Sequence, residues 1–171
     1  TDIYLKRLDN VSVVRVTDDP HEDLFPRISP DGKRLAFCSN RNGNWDIFVV
    51  QIDRPTAVMQ VTLGPEDEIH PSWSGDGAKL VYCAAAKQGE WQLRIADLRT
   101  GARTLLGPGI YPDWNTQDGR IAFQLPRMRD EFWSGIWTVK EDGTEVTQLV
   151  TAEFFQDRSW GAINPAWSPD G

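Results

Sequence analysis

The stretch His70-Pro71-Ser72-Trp73-Ser74-Gly75-Asp76-Gly77 decides the fold, because three related stretches occur elsewhere in the chain. The other copies begin at Phe25, Tyr111 and Asn164, and the third in chain order has one extra residue before its Asp-Gly. Their Pro residues stand at 26, 71, 112 and 165, so the intervals are 45, 41 and 53 residues. Repeats of roughly 20 to 50 residues indicate an architecture built from stacked or radially arranged units.

Each of the first three copies is followed by three more short apolar runs. In the second unit these runs are Lys79–Cys83, Trp91–Ala96 and Arg103–Leu106. They are rich in β-branched and aromatic residues and are bounded by Asp, Gly or Pro, which is typical of strands joined by tight turns. A repeating four-stranded unit predicts a β-propeller blade, and the alternative is a sandwich with regularly spaced turns.

We therefore predict an all-β fold, a β-propeller segment of four-stranded antiparallel blades present as an arc of about four blades. The single domain, 1–171, divides into a half blade, three full blades and one opening strand, at 1–17, 24–62, 69–106, 110–150 and 163–171. We expect a segment of a longer propeller of about six or seven blades. The alternative is a four-bladed ring in which residues 163–171 lie beside residues 1–17.

Composition and motifs exclude several classes of function. The formal net charge of −7 disfavours nucleic acid as a partner. Because no apolar run approaches ~18 residues, we expect no membrane insertion. The chain has no Gly-x-Ser-x-Gly nucleophile motif, no Gly-rich phosphate loop and no calcium-loop spacing. We accordingly assign no catalytic residue, no cofactor and no metal.

In a propeller of this type, the loops from the fourth strand of one blade to the first strand of the next share one rim. Seven carboxylates and both histidines of the chain fall in or directly after two such loops: Asp18, Asp19, His21, Glu22, Asp23, Glu66, Asp67, Glu68 and His70. This acidic rim could bind a basic peptide, a cation or a divalent metal. The alternative is a set of solvated loops whose charge keeps the protein soluble.

Two segments break the repeat, at 126–134 and 151–163, and both carry large apolar side chains. These are Phe132, Trp133, Phe154, Phe155 and Trp160. Apolar residues in loops that interrupt a repeat are candidates for a partner-contact surface. The alternative is that they cap one blade.

Residues that recur at one position of the repeat are better explained by packing. Trp73, Trp114 and Trp167 each stand two residues after a Pro, so we predict that they pack between blades. Cys38 and Cys83 occupy equivalent positions in adjacent blades, too far apart for a disulfide, and we predict two free, buried thiols. His70 occupies an aromatic position, which favours packing at the channel rim over a role as metal ligand or base.

The motif Pro-x-Trp-Ser-x-Asp-Gly, followed by runs such as Asp46-Ile47-Phe48-Val49, resembles the propeller repeat of TolB-like proteins. The same repeat occurs in the propellers of the prolyl oligopeptidase and dipeptidyl peptidase family and of the tricorn protease. The resemblance covers nearly the whole chain, although Ile28 replaces Trp in one copy and Asn115 replaces Ser in another.

The resemblance implies a non-catalytic, protein-binding scaffold in the periplasm or cell envelope of a bacterium, as a subunit of a larger assembly. Its partner would be a protein or a peptide, and a basic one in view of the acidic rim. One alternative is the substrate-gating propeller of a serine peptidase whose catalytic domain lies outside this chain. A less favoured alternative is a metal-dependent polysaccharide lyase or hydrolase centred on the channel.

Overall fold

A computed structural model describes residues 1–9, 11–125, 135–150, 164–168 and 170–171. These residues contain no α-helix, and one 3-10 turn occurs at Lys87–Gly89. Among them no helix is long and apolar enough to cross a membrane.

The strands form one two-stranded and three four-stranded antiparallel sheets. The two-stranded sheet pairs β1 (Tyr4–Lys6) with β2 (Val13–Arg15). The four-stranded sheets follow in chain order, each with its strands in sequence: β3 (Asp23–Ile28), β4 (Arg34–Ser39), β5 (Asp46–Gln51) and β6 (Arg54–Gln60); β7 (Glu68–Trp73), β8 (Lys79–Ala85), β9 (Trp91–Asp97) and β10 (Arg103–Pro108); and β11 (Ile110–Trp114), β12 (Ile121–Leu125), β13 (Gly135–Val139) and β14 (Thr147–Val150). The predicted division of the single domain into units at 1–17, 24–62, 69–106, 110–150 and 163–171 stays a prediction.

The sheets stand side by side around a common axis. The first strand of the middle sheet, β7, contacts both β3 and β11, so the three first strands are neighbours at the inner edge. The sheets pack face to face through three apolar clusters, one for each interface between successive sheets. This arrangement confirms the predicted all-β propeller arc with four-stranded antiparallel blades.

The repeated Trp residues hold neighbouring blades together, as predicted. Trp73 is 3% exposed and packs in the cluster between the first two full blades, and its indole Nε1–H donates to the carbonyl of Arg27 at 2.9 Å. Trp167 repeats this bond to the carbonyl of Asp113 at 3.0 Å. Trp114 lies in the next inter-blade cluster, although its Nε1–H donates within its own blade, to Gly119.

Each inner strand is interrupted by a bulge at the residue before the Pro. The register of the first and second strands shifts between Leu24 and Arg27 in one blade and between Ile69 and Ser72 in the next. The residue inside each of the three bulges has a positive φ: Phe25 (54°), His70 (57°) and Tyr111 (52°). Asn164, at the same position of the fourth copy, also has a positive φ, 53°. Side-chain-bearing residues rarely adopt this conformation. The repeat therefore specifies a local backbone geometry as well as a sequence.

Candidate functional site: the rim loops and the channel

The acidic loops lie at one end of the blades, together with the loops between second and third strands. The backbone N–H of Asn40 donates to the carbonyl of Glu22, and the N–H of Glu22 donates back to the Asn40 side chain at 3.0 Å. The N–H of Trp45, which precedes β5, donates to Asp67 Oδ1 at 3.0 Å, and Asp67 directly precedes the first strand of the next blade. These bonds join the two kinds of loop into one rim.

The guanidinium of Arg41 organises the first part of this rim. It lies 2.9 Å from Asp19 Oδ2 and 3.2 Å from Asp23 Oδ1, with its carbon 4.5 Å from the ring centroid of Phe48. The Asp23 side chain is fully buried, and no described donor reaches its Oδ2. Two of the predicted rim carboxylates are thus held by a cation stacked on an aromatic ring.

His21 and Asp19 form a pair beside this cluster. His21 Nδ1 lies 3.1 Å from Asp19 Oδ1, which also accepts the backbone N–H of His21 at 3.0 Å. Partial burial raises the pKa of Asp19, but the hydrogen bond from the His21 backbone, followed by Arg41, outweighs it and leaves that pKa below its ordinary value. Asp19 is therefore ionised at neutral pH and keeps its part in the network.

The outer residues of this loop are exposed. Asp18 pairs with Arg15 at 2.6 Å, while 78% of the Asp18 side chain remains accessible. Glu22 is also exposed. These two carboxylates, unlike Asp23, are available to a partner in solution.

The second acidic loop places its three carboxylates at different depths. Glu66 is exposed, Asp67 is half-buried, and Glu68 is 5% exposed. Arg94 Nη1 lies 3.8 Å from Glu66 and 3.9 Å from Glu68, which is beyond hydrogen-bond range. Burial raises the pKa of Glu68, and the nearby carboxylates of Asp46 and Glu66 raise it further. The hydrogen bond with Thr62 and the charge of Arg94 lower the pKa, but by less, so that it stays above its ordinary value.

His70 lies within the ring of inner strands, between two aromatic side chains. Its ring centroid is 3.9 Å from that of Phe25 and 4.6 Å from that of Tyr111. Burial lowers the pKa of His70 to about 4, with a smaller contribution from Arg27. The imidazole is therefore neutral at physiological pH and packs as an aromatic residue. Among the described residues, no group of three or more His, Cys, Asp or Glu side chains could hold a metal ion.

Beside these side chains, the inner strands line a cavity of about 240 Å³. It is lined by side chains from the inner strands of successive blades, among them Arg27, Ser72, Trp73, Asp113, Trp114 and Trp167. Ser72 Oγ and Asp113 Oδ1 lie 3.2 Å apart, and Asp113 Oδ2 accepts the backbone N–H of Trp167 at 2.7 Å. The side chains of Ser72 and Asp113 thus serve contacts between blades.

The structure adds residues that the sequence analysis did not single out. Asp46 is 1% exposed, burial raises its pKa, and its partners are Asn42, Thr62 and Gln60. The sequence feature that could have revealed Asp46 is a carboxylate beside the apolar residues of one strand, Asp46-Ile47-Phe48. Arg94 gives a similar signal, as a charged residue within β9. The predicted aromatic contacts Phe132, Trp133, Phe154, Phe155 and Trp160 lie outside the described residues.

A family model described as the TolB beta propeller domain matches residues 1–170. The chain belongs to the TolB β-propeller family. A curated relative, the Tol-Pal system protein TolB of Syntrophus aciditrophicus, is 50% identical over 44 residues, which are 26% of this chain and 10% of that protein. The matched stretch is therefore about a tenth of the length of the curated TolB relatives.

Solved structures show the same fold at low sequence identity. TolB from Acinetobacter baumannii superimposes with a TM-score of 0.72 at 19% identity, over 86% of this chain and 37% of that one. Puromycin hydrolase superimposes with a TM-score of 0.63 at 21% identity, over 81% of this chain and 23% of that one. The same propeller fold is thus found in TolB and in puromycin hydrolase.

Proposed function

We propose that this TolB-like propeller is a non-catalytic scaffold that binds a protein partner, with a basic contact surface, in the bacterial periplasm or cell envelope. The observation that carries the proposal is the charge of the rim. Seven carboxylates belong to its two acidic loops, and in the part of the chain that the structure describes Arg15, Arg41 and Arg94 form ion pairs with some of them. The Tol-Pal system protein TolB of Syntrophus aciditrophicus supports the larger assembly, because its name makes it a component of a system.

The rim combines a rigid base with accessible charges. Asp23 and Glu68 are buried at the first positions of the inner strands β3 and β7, whereas Asp18, Glu22 and Glu66 are exposed. Exposed charges of one sign speed up the encounter with an oppositely charged partner and make it sensitive to salt. The aromatic residues of segments 126–134 and 151–163 would then supply the apolar contacts that hold the complex.

The test is capture of a partner from a bacterial envelope extract by the immobilised chain, followed by titration of the purified partner. A variant carrying Asp18→Asn, Glu22→Gln and Glu66→Gln should bind at least tenfold more weakly at low salt, and the difference should shrink at high salt. The matched control neutralises Glu141 and Asp142, which are exposed in the turn between β13 and β14. Equal loss in both variants, or no loss in either, would refute the rim as the binding surface.

The aromatic segments need a test of their own. A triple variant with Phe154→Ala, Phe155→Ala and Trp160→Ala should leave the association rate constant and its salt dependence unchanged. The same variant should increase the dissociation rate constant of the same partner. Undiminished binding by this triple variant would remove segment 151–163 from the proposed surface and leave the charged rim in place.

The substrate-gating propeller of a serine peptidase is a second candidate. The fold likeness to puromycin hydrolase favours it, although a likeness at 21% identity supports the fold alone. The two candidates are separated by the full open reading frame. A Gly-x-Ser-x-Gly domain encoded with this propeller would replace the scaffold proposal.

A further inference from the structure

Two successive junctions between blades share one arrangement of backbone contacts. At the first junction, between the β1–β2 and β3–β6 sheets, the N–H of Ile3 donates to Thr17 Oγ1 at 2.9 Å. At the same junction, the N–H of Asp23 donates to the carbonyl of Thr1 at 2.8 Å. Asp2 lies between Thr1 and Ile3 in the chain, so these bonds gather two carboxylates and one hydroxyl, Asp2, Asp23 and Thr17, which we call the first trio.

The second junction, between the β3–β6 and β7–β10 sheets, repeats these contacts. The N–H of Ile47 donates to Thr62 Oγ1 at 2.8 Å. The N–H of Glu68 donates to the carbonyl of Trp45 at 2.7 Å. Asp46 lies between Trp45 and Ile47, so Asp46, Thr62 and Glu68 form a second trio that corresponds to the first.

Each carboxylate of the first trio is paired with a guanidinium. Arg15 Nη2 lies 2.6 Å from Asp2 Oδ2, and Arg41 Nη2 lies 3.2 Å from Asp23 Oδ1. No described donor reaches the other oxygen of either carboxylate, Asp2 Oδ1 or Asp23 Oδ2. The negative charge of each carboxylate is nevertheless balanced by a cation within hydrogen-bond distance.

In the second trio, an amide replaces the guanidinium beside the first carboxylate. Arg15 stands two residues before the threonine of its trio, and Gln60 stands two residues before the threonine of the second. Gln60 Nε2 donates to Asp46 Oδ2 at 3.2 Å, and Asn42 Nδ2 lies 3.4 Å from the same oxygen. These neutral donors favour the ionised form of Asp46 but add no positive charge.

The guanidinium beside the second carboxylate is missing as well. Arg41 stands two residues after the residue that pairs with Asp23 in the sheet. At the same place after the residue that pairs with Glu68 stands Ala86, which carries no charge. The second junction therefore keeps both carboxylates of the first junction and neither of its two arginines.

Other arginines lie near Glu68 without taking the place of Arg41. Arg94 Nη1 is 3.9 Å from Glu68 and is shared with Glu66, at 3.8 Å. Arg103 donates to backbone carbonyls instead. The titratable and charged groups around Glu68 come from four strands and from its own loop: Asp46 on β5, Tyr82 on β8, Arg94 on β9, Arg103 on β10, and Glu66 and Asp67. With burial, the carboxylates among them outweigh Arg94 and keep the pKa of Glu68 above its ordinary value.

The hydroxyl of Thr62 has only one hydrogen, although both carboxylates of its trio are hydrogen-bonded to it. Thr62 Oγ1 accepts the N–H of Ile47 and donates to Asp46 Oδ1 at 3.4 Å. Glu68 is hydrogen-bonded to the same hydroxyl. With its hydrogen directed to Asp46, Thr62 can only accept from Glu68, and Glu68 can donate only when it carries a proton. A neutral Glu68 also lowers the cost of its buried Oε2, which no described donor reaches.

We propose that the second junction is closed by a proton, which Glu68 takes up in the folded protein and donates to Thr62 Oγ1 while Thr62 donates to Asp46. The proton neutralises one carboxylate where the first junction uses arginines. Because the folded state binds this proton more tightly than the unfolded state, its contribution to stability grows as the pH falls through the folded-state pKa of Glu68 towards the ordinary value. The junction, and with it the acidic loop at 63–67, is thus held more firmly in acid. The inference goes beyond the proposed function and needs no partner.

The first measurement is an NMR titration of the side-chain carboxyl carbons in the whole chain. The resonance of Glu68 is assigned by its absence in Glu68→Gln. The titration midpoint of Glu68 should lie above those of Glu22 and Glu141, which are exposed. A midpoint of Glu68 equal to those of the exposed glutamates would overturn the inference.

Arginine variants test whether the missing cations are the cause. Gln60→Arg together with Ala86→Arg installs the cations of the first junction and should lower the Glu68 midpoint into the range of the exposed glutamates. Ala86 has φ −110° and ψ 175°, an extended backbone that any side chain can adopt. The matched control, Gln51→Arg with Ala57→Arg, adds the same charges at exposed positions of the β3–β6 sheet and should leave the midpoint raised. An unchanged midpoint in the first variant would contradict the proposal.

Amide hydrogen exchange of the unaltered chain keeps the test decisive if the arginine variants fail to fold. The protection factor of the Ile47 N–H, which donates to Thr62, should decrease as the pH rises through the Glu68 midpoint. The Ile3 N–H makes the same bond to Thr17 at the first junction and should keep its protection over that range. Equal responses of the two amides would overturn the inference.

A metal ion is the competing source of positive charge at the second junction. The titration is therefore repeated with calcium chloride and with sodium chloride at equal ionic strength. The Glu68 midpoint should be the same in both salts. A midpoint that calcium alone lowers to that of the exposed glutamates would replace the proton by a metal ion and refute the proposal.

Discussion

The backbone N–H of Asn164 donates to the side-chain Oε1 of Gln124 at 3.3 Å, and this bond joins one blade to the next. The same bond recurs at the two preceding interfaces with sulfur as the acceptor. Cys38 is hydrogen-bonded by the backbone of His70, and Cys83 by the backbone of Tyr111. In each blade, one side chain of the second strand therefore accepts a backbone N–H of the next blade. The acceptors are Cys38, Cys83 and Gln124, and the donors are the positive-φ residues His70, Tyr111 and Asn164.

The two thiols should be unreactive in the folded protein. Both are free and fully buried, and burial raises the pKa of each to about 12. Since the thiolate is the reactive form, a disulfide reagent at pH 8 should label neither cysteine in native buffer and both in denaturant. Rapid labelling of either thiol in native buffer would contradict the proposed structural role.

Stability should fall in acid because of His70. Its pKa is about 4 in the folded chain but ~6.5 when unfolded, so the unfolded state binds the proton first as the pH drops from about 6.5 to about 4. At about 1.4 kcal/mol per pKa unit, reduced for partial exposure, the loss should be about 2 kcal/mol. Urea unfolding at pH 7 and pH 4.5 measures it.

The repeat supplies the control for this prediction. Phe25 and Tyr111 occupy the same position with nearly the same φ, so His70→Phe should fold and lose this part of the pH dependence. An unchanged difference between pH 7 and pH 4.5 in His70→Phe would assign the effect to other groups.

Trp73 should be a major contributor to blade packing. Trp73→Ala removes a buried ring and should lower the free energy of unfolding by about 4 kcal/mol. Trp73→Phe keeps most of the apolar contact but loses the bond to the Arg27 carbonyl, and should cost about 1–2 kcal/mol. Leu8→Ala, at a position 99% exposed, is the control and should change the unfolding midpoint little. Similar values for Trp73→Ala and Leu8→Ala would refute the packing role.

Arg41 should be needed because it compensates a buried charge. Arg41→Gln leaves Asp23 buried without its cation and should destabilise the chain by about 3 kcal/mol. Adding Asp23→Asn removes that charge and should restore more than half of the loss. Urea unfolding of the two single variants and the double variant completes a thermodynamic cycle. Strict additivity of the two substitutions would show that the pair is not coupled.

Glu68 should behave in the opposite way from Arg41. Its carboxylate is buried and its pKa is raised, so Glu68→Gln should stabilise the protein at pH 7 by about 1 kcal/mol. The gain should diminish as the pH falls and the native Glu68 takes up a proton. A loss of stability at pH 7 would mean that the ionised carboxylate is well compensated in the folded protein.

The strands and their grouping into blades could be predicted from the sequence because their causes are local. A Pro at the start of a strand, an Asp-Gly pair such as Asp76-Gly77 in the following turn and alternating apolar residues act within a few positions of one another. Their recurrence at intervals of 45, 41 and 53 residues then indicated a propeller. The burial of the cysteines and the inter-blade position of Trp73 followed from that same periodicity.

The depth and pairing of the rim charges were decided only by the tertiary structure. In the sequence, Asp18 and Asp23 are two members of one acidic loop, yet one is exposed and the other buried against Arg41. Burial and pairing depend on distances between segments such as β3 and the loop at residues 40–45, which local patterns do not encode. The sequence by itself therefore determined the blades and their order, whereas the packing of one blade on the next determined which carboxylates are exposed and which are buried.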